Sequence, residues 1–164
     1  MKKELCCAIL FILFIIGACR TDSNKVADEN AATKSAALQD LGKTLVVPWS
    51  VEFNDSTQMM EIKKNPDADM TNLEPADIID AINLKYPQIK LEWVKKEGRK
   101  AFVMIKDARY LTSESGTEGA NAYLAEVTFS LTELSDINEV NFNFQEGDHA
   151  RPGDYTREDF KNFN

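Results

Sequence analysis

The chain has 164 residues, 43% hydrophobic and 28% charged, with 27 acidic against 19 basic side chains and a net charge of −8. That surplus of acid argues against nucleic acid and anionic lipid head groups as partners, since both select basic patches. A single histidine and three cysteines leave no material for histidine-rich or thiolate zinc centres once the N-terminal segment is set aside, so no cofactor or metal is expected.

The chain starts Met1-Lys2-Lys3-Glu4 and continues with uncharged residues from Leu5 to Ala18. A spanning helix needs roughly 20 apolar residues, so a basic start, a short apolar middle and small residues at its end predict a secretory signal peptide over 1–18. Ile16-Gly17-Ala18-Cys19 resembles a bacterial lipobox. The resemblance implies a diacylglycerol on the Cys19 sulfur, cleavage before it and acylation of the new amine. Cys6 and Cys7 leave with the signal, so Cys19 is the only mature cysteine and an intrachain disulfide is excluded. The roughly three acyl chains of such a lipoprotein hold it to a membrane where one would not. Exported, tethered and in the cell envelope is the expected location. Arg20, in place of the aspartate linked to inner-membrane retention, leaves the outer membrane open in a two-membrane cell.

Residues 20–43, "RTDSNKVADENAATKSAALQDLGK", contain no aromatic residue and little that builds a core. With Cys19 they read as a lipidated tether over 19–43, holding the rest about 25–30 Å from the lipid. The remaining chain suffices for one domain, over 44–147, followed by a tail over 148–164.

In "VVPWSVEF" the residues Val47, Trp49, Val51 and Phe53 alternate with Pro48, Ser50 and Glu52, the period of a half-buried strand. Pro48 cannot donate to a ladder and places it at an edge. Asn54-Asp55-Ser56 is a turn and "QMMEIKK" the returning strand. Thr71 and Glu74 have the spacing of a capping box ahead of a helix whose inner face is Ile78, Ile79, Ile82 and Tyr86, closed by Pro87. A hairpin follows: Ile89, Leu91 and Trp93 alternate with charged residues, Gly98 makes the turn, and "AFVMI" is apolar at every position, which predicts a central strand covered more fully than its neighbours. Ser115 and Glu118 form a second capping-box pattern before a helix striped by Ala120, Leu124, Val127, Leu131 and Leu134. The last strand carries Val140, Phe142 and Phe144 on one side. The order β-β-α-β-β-α-β predicts an α+β two-layer sandwich, with two helices on one face of a mixed sheet.

From Tyr110 to Gly153 the chain reads "YLTSESGTEGANAYLAEVTFSLTELSDINEVNFNFQEGDHARPG". This stretch resembles the C-terminal half of the GerMN domain, the sporulation and spore germination type. The shared pattern is a strand ending near Asp107, a Gly-containing helix start, the helix "AYLAEVTFSLTEL", a short turn and a final strand of the "INEVNF" kind. The strands around "EPADIIDAI" suit the first half, so the resemblance spans Val47 to Gly147. It implies a membrane-tethered, non-enzymatic domain that binds an envelope protein or its own copies, and it brings no catalytic residues. The chain departs from the family in having one domain where some relatives have two, and in its added tail.

His149 lies among Glu146, Asp148 and Asp154. Carboxylates there can steer an imidazole toward acid–base work or a triad, but no serine sits in a nucleophile elbow and a solvated loop histidine is the simpler reading. Gly116-Thr117-Glu118-Gly119 reads as a cap and close-packing point, because Glu114 and Glu118 would repel a phosphate. Trp49 and Trp93 are core candidates by their alternation, with stacking of a glycan as the other role. In the tail, Arg151, Tyr155, Arg157 and Phe160 are interface anchors by residue type, or else a short helix packing back on the domain. The expected function is assembly or partner binding in the envelope; a glycan- or peptide-binding module, or a small hydrolase using His149, are the alternatives.

Overall fold

The structure is a computed structural model and describes residues 46–163. The signal segment, Cys19 and the tether to Lys43 lie outside the described residues. Among the described residues the fold is α+β, with two α-helices, a mixed four-stranded sheet and a separate two-stranded one.

Strands β1 (Trp49–Asn54) and β2 (Met59–Lys64) form an antiparallel hairpin in which Trp49 faces Lys64 and Phe53 faces Met60. Asn54 builds the turn: its Oδ1 accepts the Ser56 and Thr57 amides, and its Nδ2 donates to Glu61 at 2.6 Å. Gln58 takes the left-handed conformation that closes it (φ 56°). Helix α1 (Pro75–Lys85) begins on a proline, whose missing N–H costs nothing in a first turn. Its capping box is Glu74 with Asp77, whose carboxylate accepts the Glu74 amide at 3.0 Å. The Thr71–Glu74 box expected one turn earlier does not form, because Thr71 belongs to the preceding turn held by Asp69.

The four-stranded sheet runs β3 (Leu91–Glu97), β4 (Lys100–Ile105), β5 (Glu139–Asn143) and β6 (Gly153–Tyr155) in that spatial order. Its outer pairs are antiparallel, while β4 and β5 are parallel with Val103 opposite Phe142. A parallel pair needs a crossover, and helix α2 (Gly116–Leu131) supplies it. Leu91, Ala101, Val103, Ile105, Val140 and Phe142 are buried on one face. On the other, Phe102 and Met104 are only half-buried, so β4 is central but not covered equally on both sides. The Lys95 ammonium lies 4.9 Å from the Phe102 ring centroid, and its apolar stem covers what no second layer does. The outer edge of β3 is blunted: Asn83 of α1 brackets the Leu91 backbone with bonds of 2.8 and 2.9 Å, and a bulge between Trp93 and Lys95 breaks the register.

Helix α2 departs furthest from its stripe. Nearly every residue from Ala120 to Leu131 is buried, Glu126, Thr128 and Ser130 included. The hairpin, α1, β5 and the C-terminal segment all pack around it. A π-helical turn (Tyr110–Glu114) precedes it, and Ser115 turns its hydroxyl back to the Leu111 carbonyl (2.8 Å) in place of the predicted cap. Gly116 makes the junction in the left-handed region (φ 71°). The chain after Gly147 is part of the same body. β6 pairs with β5, and a 3-10 segment (Arg157–Phe163) buries Phe160 and Phe163. Phe160 stacks on Tyr155, their centroids 5.7 Å apart.

Candidate docking surface

The tail residues that looked like interface anchors are engaged internally, with one exception. The Arg157 guanidinium lies 5.1 Å from the Trp49 ring and 4.9 Å from Phe129. It donates to Thr132 Oγ1 (2.8 Å), the Phe129 carbonyl (3.0 Å) and Glu133 (2.8 Å). Tyr155 donates to the Arg151 carbonyl at 2.7 Å and meets Phe142 edge-on. Arg151 alone points outward, paired with Glu146 at 3.0 Å. Trp49 sits edge-on to Phe129 and donates to Glu133 at 2.9 Å, while Trp93 is half-buried against the core.

Two carboxylates organise these contacts, Glu126 within α2 and Glu133 in the turn that follows its last residue. Burial alone would raise the Glu133 carboxyl, but bonds from Lys64, Arg157 and Trp49 outweigh it and hold its pKa down at about 2. Glu126 has no exposed surface. Its Oε2 accepts from Lys85 (2.7 Å), the Tyr86 hydroxyl (3.0 Å) and the Val51 amide (3.1 Å). Burial, reinforced by the Glu126 charge, pushes the Tyr86 phenol well above its ordinary value. Glu126 Oε1 and the Tyr123 hydroxyl have no hydrogen-bond partner among the described residues. The pair acts as a clamp, joining the hairpin, the end of α1 and the tail to α2 and the turn that follows it. The sequence reading missed it, although an acid between Ala125 and Val127, inside an apolar run, is a visible anomaly.

His149 is held in a pinned loop. Its amide donates to the Thr112 carbonyl (3.0 Å) and its Nδ1 shares a 3.1 Å hydrogen bond with Thr117 Oγ1. Gly147 lies against Thr112 so closely that a Cβ there would come within 2.6 Å of the threonine Cβ. The loop borders a cleft of about 500 Å3 shared with Asn121 and Tyr155. A triad would need a carboxylate on the other ring nitrogen, and among the described residues the ring's bond is to Thr117. No group of three or more His, Cys, Asp or Glu side chains able to hold a metal occurs among the described residues.

The exposed apolar surface lies at the hairpin tip. Along the row predicted to face inward, Val47 is 7% exposed, Trp49 and Val51 are partly covered, and Phe53 is 53% exposed. The apolar face of the hairpin is therefore increasingly exposed toward the turn. Met59, 50% exposed and opposite Asn54 in the ladder, borders the same groove as Phe53. With Met60 and the buried Phe163 they line a groove of about 570 Å3, walled by Glu118 and Asn121 of α2. Leu84, Val94 and Tyr110 are exposed on separate elements and need no explanation beyond chance. Two large apolar side chains bordering one groove on a tightly built turn are a different matter.

Comparison with protein-family models, curated proteins and solved structures gave no match.

Proposed function

We propose that this chain is a non-enzymatic, membrane-tethered envelope lipoprotein whose GerMN-like domain docks a partner protein through the hairpin tip. The observation that carries the reading is the pair Phe53 and Met59, left half-exposed at one groove although Trp49 and Val51 on the face of Phe53 are partly covered. Fully burying such a side chain is worth about 1.5–3 kcal/mol, and a partner recovers what the isolated domain forgoes. Lipid on Cys19 and the 19–43 tether keep the domain near other envelope proteins, where sporulation, germination or another envelope assembly supplies the partner. The test places a photo-crosslinking amino acid at Phe53 in the full-length chain in its own membranes, with Val94 as the control site. One discrete adduct from position 53, lost on Met59→Ser and absent from position 94, is the expected result. The same pattern from both sites, or none from either, overturns the reading.

A further inference from the structure

The docking reading leaves the partner's chemistry open, and the groove narrows it. Its walls contain one charged residue, Glu118, and no cation. Glu118 takes part in none of the ion pairs among the described residues, nor does Asp55 at the hairpin turn. Neighbouring acids are spent differently: Glu52 and Glu61 both face Lys63, and Glu133 is enclosed by Lys64 and Arg157. The cation nearest in sequence to the groove wall, Lys161, precedes Asn162 but is not among the lining residues. Apolar anchorage at Phe53, Met59 and Phe163 is thus combined with a carboxylate that forms no ion pair among the described residues, on a chain of net charge −8.

We infer that the groove takes a basic, apolar-anchored segment of the partner protein. An aliphatic or aromatic side chain enters between Phe53 and Phe163, and a flanking lysine or arginine faces Glu118. The charge balance of the whole chain steers such a segment inward. Two copies of this chain would oppose like-charged grooves, which works against self-association here. Met59 and Met60, with unbranched and adaptable side chains, suit a surface that moulds to its anchor. The inference rests on the docking reading and goes beyond it only in the partner's charge and anchor.

The Gln58, Asn121 and Asn162 side-chain amides line the groove and report on it directly by NMR. The probes are acetyl-Lys-Phe-Lys-Leu-Lys-amide and its counterpart with every lysine replaced by glutamate, titrated into the full-length protein in detergent. Saturable shifts of those three amides with the basic peptide only, weakened by salt, are expected. Glu118→Lys should weaken that binding about fivefold, the scale of one partly exposed charge pair, and Phe53→Ser should abolish it. Equal binding of the acidic peptide, no response to the basic one, or the same shifts on raising protein concentration alone would each overturn the inference. The crosslink from position 53 is indifferent to those results, so a discrete adduct beside a failed titration would reject the basic segment and leave docking intact.

Discussion

Acid should loosen the clamp through Glu133, and its contribution can be worked out. The folded carboxyl is held at about 2 against an ordinary 4.5. At 1.36 kcal/mol per pH unit that difference is at most ~3 kcal/mol. Lys64, one of its partners, is half exposed, with 52% of its side chain accessible. Solvent screening therefore brings the expected contribution to about 1–2 kcal/mol. The folded pKa is depressed, so the unfolded chain binds the proton first: the stabilisation is complete above pH 4.5 and fades as pH falls through 4.5 toward 2. Urea unfolding of the purified protein and of Glu133→Gln, followed by tryptophan fluorescence from pH 7 to pH 2, measures it. The two proteins should differ by about 1–2 kcal/mol at pH 7, and the gap should close on the acid side. A gap of the same size at pH 7 and pH 2 would refute the electrostatic account and reassign the difference to packing.

Arg157→Ala removes a guanidinium that bonds three groups and covers two rings. A loss of about 2–4 kcal/mol is expected, with faster amide hydrogen exchange across 153–163; unchanged exchange there would show that the tail is held by its phenylalanines alone. Tyr123→Phe deletes a buried hydroxyl that has no partner among the described residues, so the variant should be as stable as the parent or up to ~1 kcal/mol more so in thermal unfolding. A clear loss would mean that the hydroxyl is bonded. Gly147→Ala drives a methyl into Thr112 and should cost about 1–3 kcal/mol, with the His149 ring resonances displaced because the same loop carries both. A silent substitution would show that the loop yields.

The elements were legible in the sequence because their signals are local. Alternation in Val47–Phe53 and Val140–Phe144, Gly98 between two strands, and the Ile78, Ile79, Ile82 face each depend on neighbours a few positions apart. The α+β class with a mixed sheet follows from their order. Tertiary structure decided what covers each surface. Glu126 reaches the Val51 amide across 75 positions and Glu133 reaches Trp49 across 84. Pairings at such separations leave no period in the sequence, so α2 read as a striped surface helix when the hairpin, α1 and the tail enclose it. The capping boxes failed for a related reason: Thr71 and Ser115 have the right spacing, but the Thr71 amide donates to the Asp69 carboxylate and the Ser115 hydroxyl to the Leu111 carbonyl. The tail's aromatic and basic residues fitted an interface or a core by type alone, and their burial depended on a third element, Trp49 and Phe129, being present to receive Arg157. At Phe53 the strand pattern is the same as at Val51; that one is partly covered and the other faces solvent depends on what packs beneath each, which the alternation does not encode.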